Sequence, residues 1–284
     1  MNKGYVLITG VSSGIGYDAT KYLIAQGYRV IGSVRKEADA QRLINDFGES
    51  YIPLLFDVTD REQVAKGKEK VQSILNGQRL LALVNNAGVA IGGPIELLTD
   101  EDFRWQMEVN LFAVRNITNA FLDLLKGSRE QKLKGGKIIM ISSISGYFNA
   151  PYNGAYCVSK HAMESLAELY RRELYMYDID VVSIQPGPIA SKIWEKINSC
   201  EEYLDTDYAT LCRRADKLIQ HSQKNALEPR VISKIIEKII TKRTKTKFVV
   251  NKNLWMTLFF TKVIPARWVD KILYKQFFKT KLKS

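Results

Sequence analysis

The sequence predicts a doubly wound α/β fold for this chain of 284 residues: one parallel sheet of about seven strands with helices on both faces, then a helical extension. Three observations lead there. Mostly apolar runs alternate with stretches of helical periodicity, the pattern of repeated strand–helix–strand units. The runs are apolar nearly throughout rather than at every second residue, so both faces of the sheet are covered. No Pro/Ser-rich linker or internal repeat divides the chain, whose length suits a single α/β core.

The first strand is expected over 4–8 and the first helix over 15–25, with Gly10, Gly14 and Gly16 in the turn between them. Further strands are expected at 28–34, 51–58, 80–86, 136–143, 178–186 and 247–250. Helical stretches are expected over 37–47, 60–76, 99–126, 153–177 and 228–241. The domain is placed at 1–250 and the extension at 251–284. In such a sheet a ligand binds beyond the carboxyl ends of the strands.

Composition excludes several classes. Hydrophobic residues make up 46% and charged residues 25%, ordinary globular values. The longest apolar run of the tail, Leu254 to Phe260, is far short of the roughly 20 residues of a membrane span. Cys157, Cys200 and Cys212 have no metal-like spacing, and their odd number argues against a disulfide framework. No metal is expected, and the setting is read as reducing and cytoplasmic. The net charge of +12 is unevenly placed: from Arg230 onward 15 Lys and Arg face only Glu237 and Asp270.

The glycines answer a physical need. Gly10 ends the first strand, and Gly14 and Gly16 begin the first helix. Glycine permits positive φ and close backbone approach, while the helix N-terminus offers free N–H groups to a pyrophosphate. Ser12 and Ser13 add hydroxyl donors. Tyr156 and Lys160 lie four residues apart, on one face of the helix after the fifth strand. A tyrosine with a pKa of about 10 is a poor base at neutral pH. One ammonium at about 4 Å would supply roughly 4 kcal/mol toward its ionisation. Lysine at this spacing is therefore expected to lower the tyrosine's pKa.

With these motifs in order, the chain resembles the short-chain dehydrogenase/reductase family, a Rossmann-type fold. Its T-G-x-x-x-G-x-G is Thr9, Gly10, Gly14, Ile15 and Gly16, and its N-N-A-G is Asn85, Asn86, Ala87 and Gly88. Its helix asparagine matches Asn110, its serine Ser143, its Y-x-x-x-K Tyr156 and Lys160, and its P-G Pro186 and Gly187. The stretch from Ala155 to Trp194 looks like the retinol and 17β-hydroxysteroid dehydrogenase branch. The resemblance implies hydride transfer between a nicotinamide cofactor and a hydrophobic alcohol or carbonyl compound, such as a steroid, retinoid or acyl chain. Tyr156 would exchange the proton, Ser143 hold the substrate oxygen, and Lys160 polarise Tyr156 and hold the ribose. Asn110 would kink its helix and hold a proton-relaying water. Asn86 would support the ribose, Pro186 to Ile189 the carboxamide together with Ser191, and Asp57 and Val58 the adenine. His161 and the three cysteines are read as packing residues.

Cofactor choice is read at the end of the second strand. An NAD site usually carries an acidic residue about 20 residues past the glycine turn. Here Val34 stands at that place, followed by Arg35 and Lys36, and a guanidinium suits a 2′-phosphate. NADP is therefore expected rather than NAD. Two other functions share part of the pattern: a 3-oxoacyl-carrier-protein reductase, and a non-catalytic nucleotide-sensing regulator. The resemblance also implies a homodimer or larger homo-oligomer paired through 99–126 and 153–177. The tail is expected to form two short helices broken at Pro265. It either packs on its own domain or partner, or lies on an anionic membrane. Specific nucleic-acid binding is not expected, because net charge alone indicates non-specific attraction.

Overall fold

The computed structural model describes residues 3–191, 193, 200–252 and 264–278. The strands are β1 (Tyr5–Ile8), β2 (Arg29–Val34), β3 (Tyr51–Leu55), β4 (Leu80–Asn85), β5 (Lys137–Ile141), β6 (Asp180–Pro186) and β7 (Lys247–Val250). They form one sheet in the order β3-β2-β1-β4-β5-β6-β7, and each neighbouring pair is parallel. The order reverses between β1 and β4, which opens a crevice at their carboxyl ends. This is the doubly wound fold expected.

Side chains leave a strand alternately to its two faces, so each strand feeds two cores. Tyr5 and Leu7 point to one face, with Phe121, Met163 and Tyr170 of the covering helices. Val6 and Ile8 point to the other, with Leu23, Leu43 and Ile236. The first core lies under α3 (Arg61–Leu75), α5 (Ala113–Phe121) and α6 (Gly154–Glu173). The second lies under α1 (Gly14–Ala25), α2 (Glu37–Phe47) and α8 (Arg230–Thr241).

α1 and α8 are fastened by a bidentate pair. Arg230 Nε and Nη2 donate to the Asp18 carboxylate at 2.9 and 3.1 Å, and Ser233 Oγ donates to it at 2.6 Å. Burial alone would raise the Asp18 pKa, but hydrogen bonds from Arg230 and Ser233 outweigh it and hold the pKa below the usual value. A carboxylate held this way stabilises the fold above its unfolded pKa and loses that contribution as pH falls. Asp18→Asn is expected to cost about 1–2 kcal/mol at neutral pH, read as a lower midpoint in urea. An unchanged midpoint would contradict the assignment.

Three departures from the sequence reading have physical causes. The stretch 99–126 is not one regular helix: α4 (Asp100–Met107) passes through a π-helical turn at Glu108–Phe112 into α5, which ends at Phe121. A helix absent from the sequence reading, α7 (Ala209–Lys224), occupies the supposed loop after β6. Its buried residues are few, Leu211, Cys212 and Ala215, because it covers a satellite cluster rather than the sheet. Cys212 is therefore a helix residue. Strands expected to 58 and 143 end at Leu55 and Ile141, since the following residues leave the ladder to line the crevice.

Beyond Pro265 the tail forms α9, Ala266–Phe277; the other helix expected around Leu254 to Phe259 lies outside the described residues. Among the described residues no helix is long and apolar enough to cross a membrane, and no cluster of side chains could hold a metal.

Candidate active site

The crevice is built from strand ends. The glycine turn leaves β1, and Gly10 and Gly14 hold φ of 70° and 58°, a region that side chains disfavour. Gly16 serves packing: a Cβ there would stand 2.3 Å from Gly10 O and 2.6 Å from Asn86 Nδ2. The turn is tied down from three sides. Ser33 Oγ accepts from Gly10 N at 3.1 Å, Arg42 Nη2 donates to Ser12 O at 2.8 Å, and Asn86 Nδ2 donates to Thr9 O and Gly10 O at 2.8 and 2.9 Å. Both amide hydrogens of Asn86 are thus spent on the chain. Its first duty is to hold the turn, where the resemblance implied a ribose contact.

The N-terminus of α1 remains open. Ser13 caps it without a side-chain hydrogen bond, and its first turn carries no acidic residue. Free N–H groups and the positive end of the helix dipole therefore face the crevice, and the glycines keep side chains out of it. This cradle fits a dinucleotide pyrophosphate. Gly10, Ser12, Ser13, Gly14 and Ile15 line the crevice, with Arg35 from the end of β2 and Asp57 and Val58 after β3. Asn86, Ala87 and Gly88 follow from β4, and Pro186, Gly187, Ile189 and Ser191 from β6. Gly16 and Lys36 are not among the lining residues; Lys36 is exposed at the cap of α2. Arg35 is 58% exposed at the mouth, with Nη1 3.7 Å from Asp57 Oδ2. Asp57 Oδ1 accepts from Thr59 N and Oγ1 at 2.9 and 2.8 Å, so only its other oxygen faces Arg35.

Ser143, Tyr156 and Lys160 line the same crevice. All three are buried, with exposures of 8, 9 and 4%. Lys160 Nζ donates to Ile141 O at 3.0 Å and lies 5.7 Å from the centre of the Tyr156 ring. Burial pushes the Tyr156 phenol up to about 12, against a hydrogen bond with Ser143 that lowers it. Burial also pulls Lys160 down to about 8, opposed by the Glu164 carboxylate. The expectation of a lowered tyrosine pKa is thus corrected. Desolvation penalises both charged forms, and burial is the largest influence on the Tyr156 phenol. The phenol stays protonated across the neutral range, which suits a proton donor.

Asn110 sits on the π-helical turn and is fully buried. Its Nδ2 donates to Val89 O and Ser159 Oγ at 2.9 and 3.1 Å, and its Oδ1 accepts from Val89 N at 2.9 Å. Three of its four side-chain bonds go to protein, so it braces the segment after β4 against α6. The water-holding duty implied by the resemblance can use only the lone pair left on Oδ1. His161 Nδ1 lies 2.9 Å from Cys157 O, a contact one turn back along α6.

A family model described as short chain dehydrogenase matches residues 4–202. The chain belongs to the short-chain dehydrogenase family. It is 40% identical over 95% of its length, and 96% of the relative's, to an NADPH-dependent 3-dehydrocapnine reductase of Ornithobacterium rhinotracheale. It is 35% identical to a 3-ketodihydrosphingosine reductase of Bacteroides thetaiotaomicron, over 86% of each chain. In fold it matches the crystal structure of a short-chain dehydrogenase from Streptomyces avermitilis with a TM-score of 0.76 and 23% identity, over 95% of this chain and 93% of that one. Membership makes the chain an oxidoreductase, and the relative from Ornithobacterium rhinotracheale is named as NADPH-dependent.

The sequence reading missed several residues of this family site. Ser33 and Phe56 line its side at β2 and β3. Val89, Trp105 and Val109 line the other. Ser142, whose buried hydroxyl has no hydrogen-bond partner among the described residues, lines it as well. Ser142 had a signal, being the first of two serines where β5 ends. Trp105 had none, since it reaches the crevice from a helix distant in sequence.

Proposed function

We propose that this protein is an NADP(H)-dependent reductase of a ketone carried on a long aliphatic chain. The observation that carries the reading is Tyr156, buried beside Ser143 and Lys160 in the crevice that the glycine turn lines. A bound NADPH would supply the hydride to the carbonyl carbon. Ser143 would hydrogen-bond the carbonyl oxygen, and Tyr156 would give its phenolic proton to that oxygen as negative charge develops. Lys160, while charged, would stabilise the phenolate left behind. Arg35, with no acidic residue at the end of β2, supports NADP(H) over NAD(H).

The acyl-like part of the expected substrate range is favoured over steroid or retinoid. The relatives at 40% and 35% identity are named as reductases of 3-dehydrocapnine and 3-ketodihydrosphingosine. The test is NADPH oxidation over a panel of a saturated long-chain 3-keto base, a 3-oxoacyl thioester, a 17-ketosteroid and retinal. The reading expects the highest kcat/KM with the 3-keto base. Turnover of the steroid or retinal alone would overturn it.

A pH profile follows. Lys160 is charged below about 8 and neutral above it, while Tyr156 stays protonated to about 12. The kcat/KM for ketone reduction should therefore fall as pH rises through about 8. A profile flat to about pH 10 would remove Lys160 from the mechanism.

We also propose pairing of two copies through α4, α5 and α6. Trp105, Phe112, Val158 and Leu169 leave large apolar side chains exposed on these elements. Light scattering at micromolar concentration should give twice the monomer mass or more; a monomer mass contradicts the pairing.

A further inference from the structure

We infer that α9 is a docking face for an anionic membrane surface. The helix has two unlike sides. Phe277 is buried, and Leu273 packs with it against the satellite cluster of Tyr152, Tyr203, Leu211, Cys212 and Ala215. Arg214 of α7 fixes the helix end, its Nη1 donating to Lys275 O and Gln276 O at 3.1 and 2.7 Å. The orientation of α9 is therefore set by the body of the protein.

At roughly 100° per residue, Trp268 falls on the side of the helix opposite Phe277. Ile272, Lys275 and Lys271 lie within about 60° of Trp268, and Arg267 and Tyr274 flank them at about 100° and 120°. All six are exposed, with Trp268 at 65%, Tyr274 at 60% and Ile272 at 39%. The one acidic residue of α9, Asp270, is also exposed but points about 160° away from Trp268. The face centred on Trp268 thus carries Lys271, Lys275 and Ile272, with Arg267 and Tyr274 flanking it and Asp270 on the far side. A helix that only faces water has no need of an exposed tryptophan and isoleucine side by side. Aromatic residues at headgroup depth with basic residues beside them suit a helix lying in the interface of an anionic bilayer.

The location adds a reason. The cluster beneath α9 includes Tyr152, four residues before Tyr156 in the chain, so docking would hold the active-site end of α6 near lipid. A long-chain ketone would come from there; this last point rests on the proposed substrate, whereas the docking face does not.

The test is co-sedimentation of the full chain with phosphatidylcholine vesicles, with and without phosphatidylglycerol, at low and high salt and without substrate or NADPH. The wild type should bind only the vesicles containing phosphatidylglycerol, and release at high salt. The combined variant Arg267→Glu, Lys271→Glu, Lys275→Glu should bind at least about tenfold more weakly. Trp268→Ala with Ile272→Ala should also weaken binding. Both variants should keep the wild-type thermal melt and the wild-type turnover of detergent-dispersed substrate. No binding of the wild type at low salt, or equal binding by the charge-reversed variant, overturns the proposal. So does a fall to monomer mass in Trp268→Ala with Ile272→Ala while vesicle binding is unchanged, which would make the face a contact between copies. Binding without any ketone turnover would instead overturn only the catalytic reading.

Discussion

Replacing Tyr156 by phenylalanine is expected to lower kcat for ketone reduction by about 10²–10⁴-fold, the usual worth of a positioned general acid. The substitution keeps the ring and removes one oxygen from a side chain that is 9% exposed. Packing around α6 should survive, so a loss of turnover reports chemistry rather than folding. Burial pushes the Tyr156 phenol up to about 12, and Tyr156 shares a side-chain hydrogen bond with Ser143, so it can serve as a proton donor beside Ser143. Affinity for NADPH should change by no more than about twofold, because an interaction made only in the transition state lowers kcat without weakening the ground state. Wild-type kcat in this variant would remove Tyr156 from the role assigned to it.

The second large effect concerns cofactor choice. Arg35→Ala should weaken NADPH by roughly 1.5–3 kcal/mol, the scale of hydrogen bonds to a charged group. That corresponds to about 10–150-fold in Kd. NADH should be nearly unaffected, since it lacks the 2′-phosphate that the guanidinium would grip in paired bonds. Arg35 is well placed for this: 58% exposed and 3.7 Å from Asp57, its loose ion pair can open at little cost. Equal wild-type affinity for both cofactors, unchanged by the substitution, would sink the assignment. Titration of intrinsic fluorescence with each dinucleotide reads both quantities.

The fold was legible because its signals are local. Apolar runs such as Val6 to Ile8 and Ile138 to Ile141 fill both faces of the sheet, and that double burial leaves strands readable as continuous hydrophobic segments. The glycine turn was legible for a similar reason: positive φ at Gly10 and Gly14 and the close approach at Gly16 each admit little but glycine. Less could be read where a residue's task depends on a distant partner. Asn86 and Asn110 were identified as site residues, yet their hydrogen bonds run to Thr9, Gly10, Val89 and Ser159, contacts that no spacing displays. A helical i, i+4 spacing gives proximity without the degree of burial, and burial is the largest influence on the Tyr156 phenol. α7 escaped notice because it covers only a small cluster, which leaves its apolar stripe too narrow to stand out.

Ketone reduction by hydride from NADPH is the activity expected of this crevice. It is tested most directly by turnover of a long-chain 3-keto base with NADPH deuterated at C4 of the nicotinamide, on the face from which hydride is delivered, and mass analysis of the product. The account predicts an alcohol that carries the deuterium on its carbinol carbon in the wild type, and almost none of that alcohol from Tyr156→Phe. Consumption of NADPH without deuterium in the alcohol, or no reduction of any ketone in the panel, would contradict it.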